Sequence, residues 1–265
     1  MEVQKNYGVS QFICGSQRYE IGAWQDIGTR TCQEDSMLVT ERDGTVLAAV
    51  CDGMGGLGGG DVASRTAVDL LFNLFMEESL ADPSGFYEDS VDLLDARVYF
   101  LEDENKNRLK AGTTIVSVIL RENLLHWLSV GDSRIYVLRE SDLVQVTRDH
   151  TYGEQLLDRL AQKRITQEQF DGEAKKHGSL TSFLGIGGIR LMDTPAAPLP
   201  LYPGDFVLLT SDGLYNAINM DDLTQIGGKT VPEAMEIIER MIDECDLLVR
   251  DNTSFILIRC LAQDE

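Results

Sequence analysis

The chain has 265 residues, of which 43% are apolar, so it is long enough for one large domain or two small ones with a sizeable core. This composition argues against an intrinsically disordered chain. The formal charge of -21, from 44 Asp and Glu against 23 Lys and Arg, disfavours binding to nucleic acid or to an anionic membrane surface.

Short strand-like runs dominate the chain, and turns rich in Gly and Asp join them. Residues 41–44 are typical of a hairpin connection, and the three runs between residues 113 and 138 predict a meander. In chain order, we predict strands at residues 19–24, 36–39, 45–51, 113–120, 124–130, 134–138, 143–146, 206–210 and 253–260.

Helical patterns separate these groups of strands. The first predicted helix follows a glycine cluster at residues 55–60, with Asp61 as its cap and an apolar stripe through Ala67, Leu71 and Phe75. Two further helices are predicted at residues 89–109 and 232–245. Because strands occur in sequence-local groups, antiparallel sheets packed between helices are favoured. No linker interrupts the pattern, so we expect a single domain over residues 1–265.

Three aspartates lie at the ends of predicted strands. Asp52-Gly53 and Asp212-Gly213 each follow an apolar run, and Asp251 precedes another. Acids at strand ends can converge in space, where each close pair of carboxylates repels by about 4 kcal/mol at an effective dielectric of 20. A site that keeps these groups ionised needs a cation, so the pattern indicates a divalent metal centre.

The cysteines favour a reducing compartment. There are five, an odd number, and no two have the Cys-x-x-Cys spacing of a zinc or redox site. The first residues lack the basic and apolar stretches of a signal peptide, and no apolar run approaches the ~20 residues needed to span a bilayer. We therefore expect a cytoplasmic protein without membrane contact.

Five ordered motifs extend across nearly the whole chain. Each is weak alone, because Asp-Gly is usually a turn and Asp132 alone is equally compatible with a hairpin. Together they resemble the metal-dependent Ser/Thr protein phosphatases of type 2C in their bacterial form, over residues 21–259. The motifs are Gly-Thr-Arg-Thr-Cys-Gln-Glu-Asp-Ser at 28–36, Val-Cys-Asp-Gly-Met-Gly-Gly at 50–56, Ser-Val-Gly-Asp-Ser-Arg at 129–134, Thr-Ser-Asp-Gly-Leu at 210–214 and Asp-Asn-Thr at 251–253.

The resemblance implies an α+β fold, a four-layer α-β-β-α sandwich in which two stacked antiparallel sheets are flanked by helices. It implies hydrolysis of phosphoserine and phosphothreonine on proteins by water that two divalent ions activate. The partners would be phosphoprotein substrates and a Ser/Thr kinase whose work the enzyme opposes. Oxygen ligands suit Mn²⁺ or Mg²⁺, and bacterial members often hold a third, weaker ion.

The resemblance also implies individual roles. Asp52 bridges the two ions, Asp212 and Asp251 hold the first, and the Gly53 carbonyl contacts the second. Glu34 acts on the second ion through water, and Asp35 orients bound water. Asp132 contributes to the third site. The catalytic set is therefore Asp52, Asp212 and Asp35.

Arg30 stands where the family has its phosphate-binding arginine, and its guanidinium matches two phosphate oxygens. Met54 replaces the histidine that animal members use as a general acid, which leaves the proton donor open, with His150 as one candidate. The polar stretch at residues 151–178 corresponds to the flap of bacterial members. It reads equally well as a solvated helical surface.

Other functions remain as alternatives. The same metal ligands suit hydrolysis of small phosphomonoesters. A non-catalytic regulatory module would keep only the fold, but the presence of every acid disfavours it. A calcium-binding acidic protein would need ligands at alternate positions of one loop, and the sequence has no such loop.

Overall fold

Two antiparallel sheets stacked on each other form the centre of the protein, and helices cover both outer faces. The computed structural model describes residues 6–55 and 59–262. The strands are β1 (Asn6–Cys14), β2 (Gln17–Asp26), β3 (Asp35–Arg42), β4 (Thr45–Gly55), β5 (Ala111–Thr113), β6 (Ile115–Arg121), β7 (Leu124–Val130), β8 (Arg134–Arg139), β9 (Asp142–Gln145), β10 (Leu199–Pro200), β11 (Phe206–Thr210) and β12 (Thr253–Cys260).

The first sheet has the order β1-β2-β12-β11-β8-β9, and the second has the order β10-β7-β6-β4-β3, with β5 paired to β4. Two short 3₁₀ helices lie at Ala174–Lys176 and Met220–Ile226. The α-helices are α1 (Gly60–Glu77), α2 (Pro83–Tyr99), α3 (Tyr152–Ala161), α4 (Gln167–Gly172), α5 (Asp212–Ala217) and α6 (Val231–Asp243).

Three hydrophobic clusters pack the four layers (helices, sheet, sheet, helix) against one another. One cluster lies between the second sheet and helices α1 and α2, one lies between the two sheets, and one joins the first sheet to α6. The predicted α+β architecture of stacked antiparallel sheets between helices is confirmed.

Strand β4 shows why the sequence forms this sandwich. Leu47, Ala49 and Cys51 face the helices, whereas the residues between them face the other sheet. Successive side chains of a strand point to opposite faces, so a strand covered on both faces is apolar throughout. The continuous run therefore marks a central strand that ends at Asp52.

Several predicted elements have the wrong bounds or pairing. The meander is wrong, because β7 belongs to the second sheet and β8 to the first, so residues 131–133 cross between sheets. The second helix begins at Pro83, not residue 89, and ends at Tyr99. Asp82 caps it by accepting from Ser84 N, and Pro83 occupies the first turn, where its missing N–H costs nothing.

Asp61 is not the cap of α1. The cap is Gly59, with no side-chain hydrogen bond, and Asp61 lies inside the first turn. Within the preceding glycine cluster, Gly56, Leu57 and Gly58 lie outside the described residues. The third predicted helix is confirmed to within two residues at each end, whereas β1 was not predicted. Among the described residues, no helix combines the length and apolar character needed to span a bilayer.

Candidate active site

The predicted site residues lie at one end of the sandwich because of strand register. Antiparallel pairing places Asp35, at the start of β3, opposite Asp52 near the end of β4. In the first sheet, the end of β11 pairs with the starts of β8 and β12. Asp212 follows β11, Asp132 precedes β8 and Asp251 precedes β12. Distant acids are therefore brought to the same edge.

Asp52, Asp212 and Asp251 line a cleft of about 290 Å³, here called the central cleft. Asp35 lies behind it, buried, and Asp132 lines a neighbouring cleft that shares Asp212 with the first. The predicted site residues that line the central cleft are Arg30, Glu34, Asp52, Gly53, Asp212 and Asp251.

The backbone around Asp52 is held firmly. Thr114 Oγ1 accepts from the Asp52 amide at 3.0 Å, and the Asp52 carbonyl accepts from Thr114 N and Thr113 Oγ1, each at 2.9 Å. A Cβ on Gly53 would lie 2.1 Å from the Gly60 carbonyl oxygen and 2.4 Å from that of Glu34. Only glycine fits there, because α1 and the Glu34 loop approach the backbone so closely.

Asn252 is a site residue to which the sequence assigned no role. Its Oδ1 accepts from the Glu34 amide at 2.8 Å, and its Nδ2 donates to the carbonyls of Ile27 and Cys32. One buried side chain thus fixes the loop that carries Arg30 and Glu34. The only signal in the sequence was its position directly after Asp251.

Arg30 and Asp251 form an ion pair at the mouth of the cleft, with side chains 50% and 39% exposed. The other carboxylate oxygen of Asp251 accepts from Asn252 N at 2.8 Å. Both members of the pair face solvent, so each is accessible to a ligand from outside.

Burial and mutual repulsion make these carboxyl groups resist ionisation. Burial raises the pKa of Asp35 to about 7, and the charges of Asp212 and Asp251 add to it. Burial, with Asp212 and Asp149 nearby, raises the pKa of Asp132 to about 7. Burial also raises the pKa of Asp52, and the charge of Asp35 raises it further. Burial likewise raises the pKa of Asp212, and the charge of Asp251 raises it further.

The donor set fits hard divalent cations. All of its donors are oxygens, as Mg²⁺ and Mn²⁺ prefer, and a cation would offset both the burial and the mutual repulsion that raise these pKa values. Asp35 Oδ1 is buried with no hydrogen-bond partner, although Ser211 donates to its Oδ2 at 2.9 Å. Within residues 6–55 and 59–262, no three His, Cys, Asp or Glu side chains already surround one point; Asp251 instead faces Arg30.

His150 lies beside the turn that precedes Asp132. Its Nδ1 accepts from Gly131 N at 3.1 Å, and burial lowers its pKa, so it is a neutral acceptor that orders the turn before Asp132. It does not line the central cleft, whereas Met54 does. His126 is buried in β7.

Comparisons with known proteins found similar sequences and similar folds. The family model for protein phosphatase 2C matches residues 25–243. The serine/threonine protein phosphatase PstP of Mycobacterium tuberculosis is 28% identical over 214 residues, which is 81% of this chain and 39% of PstP. The chain therefore spans about two fifths of the length of that relative.

Solved structures share the fold. The serine/threonine phosphatase of S. agalactiae has a TM-score of 0.74 and 22% identity, covering 96% of this chain and 99% of that one. The catalytic domain of PstP in complex with two manganese ions has a TM-score of 0.67 and 24% identity, covering 98% and 99%. At these identities the likeness establishes the fold alone.

Proposed function

Because this chain belongs to the protein phosphatase 2C family, we propose that it is a metal-dependent phosphatase that hydrolyses phosphoserine and phosphothreonine on proteins. The observation that carries the proposal is the convergence of Asp52, Asp212 and Asp251 on one cleft that also contains Arg30. Their positions in the sequence are far apart, so only the fold brings them together.

In this proposal, Asp52, Asp212 and Asp251 would hold two divalent ions together with the Gly53 carbonyl, and Glu34 would contribute through water. Asp132, in the neighbouring cleft, serves a third, weaker ion. Manganese is the first candidate, since the PstP structure holds two manganese ions, and magnesium is the second. When bound, the ions would supply an activated water and offset charge on the phosphoryl group.

Arg30 would bind the phosphate of the substrate. Its guanidinium fork matches two phosphate oxygens and stays charged at any working pH. Its present partner is Asp251, which is also a proposed metal ligand. A cation at Asp251 would therefore release Arg30 for phosphate, so that metal and substrate binding reinforce each other.

Asp35 would orient water from behind the cleft. Its carboxylate is fixed by Ser211 on one oxygen and is free on the other. It lies beside Asp52 by strand pairing. We assign it a positioning role, because it is buried and does not line the cleft.

The biological setting we propose is dephosphorylation of cytoplasmic phosphoproteins, in opposition to a Ser/Thr kinase. All five cysteines are free thiols, which suits a reducing compartment. The second candidate is hydrolysis of small phosphomonoesters, since the same residues of the central cleft would serve it.

The test is hydrolysis of a phosphothreonine peptide with and without Mn²⁺, for the native chain, Asp52→Asn and a control, Asp92→Asn, on the exposed side of α2. We expect Mn²⁺-dependent turnover by the native chain and the control only. Turnover of sugar phosphates with no turnover of phosphopeptides would favour the second candidate. Undiminished turnover by Asp52→Asn would refute the metal assignment.

A further inference from the structure

A second cleft adjoins the central cleft and differs from it in charge. It has a volume of about 350 Å³, and the two clefts share Met54 and Gly55. Apolar lining comes from Met54, Gly112, Phe183 and Ile186, and the charged residues among its described lining are Arg108 and Lys110, both basic. We call it the basic cleft.

Strand pairing fixes the distance between the two clefts. Ala111 in β5 pairs with Gly55 in β4, three residues beyond Asp52. A strand rises about 3.3 Å per residue, so the backbone of Ala111 lies roughly 10 Å along the chain direction from Asp52, and Lys110 is the next residue beyond it. An extended peptide whose phosphoresidue occupies the central cleft would cover that span with about three residues.

The walls of the basic cleft are held in place before any ligand arrives. The buried carboxylate of Asp95 accepts from the backbone N–H groups of Gly185, Gly187 and Gly188, at 2.7, 3.3 and 2.6 Å. A Cβ on Gly112 would lie 2.6 Å from the Phe183 ring, so the ring packs directly on the strand backbone. The loop at residues 183–188 is thereby fixed as one wall.

Arg108 is fixed as well. Its guanidinium stacks on the Tyr99 ring at 3.5 Å, its Nε donates to the Tyr99 carbonyl at 3.0 Å, and its Nη2 donates to the Gly185 carbonyl at 3.4 Å. None of these partners is a carboxylate, so its charge is not neutralised by an ion pair within the described residues. The conformational entropy of this long side chain is therefore already lost before a ligand binds.

Lys110 differs, because it is exposed and makes no ion pair within residues 6–55 and 59–262. Unpaired cations beside a site are unexpected in a chain of charge -21. The central cleft itself carries Glu34, Asp52, Asp212 and Asp251. Of these two clefts, the basic cleft is therefore the one that complements negative charge.

We propose that the basic cleft binds an acidic side chain of the substrate, located two to four residues from the phosphoserine or phosphothreonine. This inference rests on the proposed phosphatase function and specifies its substrate class. The carboxylate pairs with Lys110 and Arg108, while Met54, Phe183 and Ile186 contact the apolar atoms of the flanking residues. Small phosphomonoesters have no group that reaches this cleft.

The test compares kcat/KM for two pairs of phosphothreonine peptides. In one pair the third residue before the phosphothreonine is Glu or Gln, and in the other pair the third residue after it is Glu or Gln. The enzymes are the native chain, Lys110→Glu, Lys110→Met and Lys106→Glu. Lys106 lies in the same loop but does not line the cleft. Lys106→Glu therefore serves as a control that makes the same charge change outside the cleft. A melting curve for each variant establishes that it is folded.

We expect the native chain to prefer one Glu peptide by about fivefold over its Gln partner, the upper range for an exposed ion pair. Lys110→Met should bring the ratio of kcat/KM for this Glu peptide to kcat/KM for its Gln partner towards one, and Lys110→Glu should bring it below one. Lys106→Glu should keep the native ratio. The inference would be overturned if the native chain had the same kcat/KM for each Glu peptide as for its Gln partner. It would also be overturned if Lys106→Glu and Lys110→Glu changed this preference equally.

Failure of the two proposals gives different results. If the native chain hydrolyses all the peptides at the same rate, the phosphatase function stands and the basic cleft does not select substrates. If the native chain hydrolyses none of them with Mn²⁺ present, the proposed function itself fails and takes this inference with it.

Discussion

Asp35→Asn should stabilise the metal-free protein while impairing its activity. Burial raises the pKa of Asp35 from 3.8 to about 7, so the folded state holds this proton more tightly than the unfolded state does. Such a group lowers stability progressively as pH rises from about 4 to about 7. At about 1.4 kcal/mol per pKa unit, ionised Asp35 costs the folded state up to about 4 kcal/mol above pH 7.

The assay is urea unfolding with a chelator present, at pH 5 and pH 8. From pH 5 to pH 8, ionisation of Asp35 alone should lower the free energy of unfolding of the native chain by about 3 kcal/mol. Asp35→Asn should lack this decrease. The exposed Asp92→Asn control should retain it. If Asp35→Asn is no more stable than the native chain at pH 8 and shows the same pH dependence, burial of ionised Asp35 does not cost the folded state this free energy.

Three further predictions concern the residues of the central cleft. Asp212→Asn should abolish phosphopeptide turnover while keeping a native circular dichroism spectrum; near-native turnover would show that it is not a ligand. Arg30→Ala should raise KM about tenfold, by loss of a charge-assisted contact, with a smaller change in kcat; steady-state kinetics with an unchanged KM would contradict the phosphate role. Gly53→Ala should lower the free energy of unfolding by about 3 kcal/mol, because its Cβ would overlap the Gly60 carbonyl; denaturant unfolding equal to native would mean that the backbone there relaxes freely.

The sequence predicts well those elements that apolar patterning determines. Strands β11 and β12 match the prediction to the residue, because each is built around four consecutive apolar residues, 206–209 and 255–258. The convergence of Asp52, Asp212 and Asp251 on one cleft was also expected. Acids that directly adjoin buried strands have their positions fixed by the strand ends.

Features that depend on packing between layers were not predictable in this way. The three residues 131–133 have hairpin spacing, and only the stacking of the sheets shows that the chain crosses between them. The early start of α2 had a signal in Asp82-Pro83 that the apolar pattern obscured. The bracing by Asn252 and the pairing of Arg30 with Asp251 depend on side-chain directions, which residue spacing does not specify.

The most direct measurement of the central claim is anomalous scattering at the manganese edge from crystals soaked in Mn²⁺. We predict two strong peaks in the central cleft, both within bonding distance of the Asp52 carboxylate, and their loss in Asp52→Asn crystals. A cleft without peaks at saturating Mn²⁺, or peaks that persist unchanged in Asp52→Asn, would contradict the account.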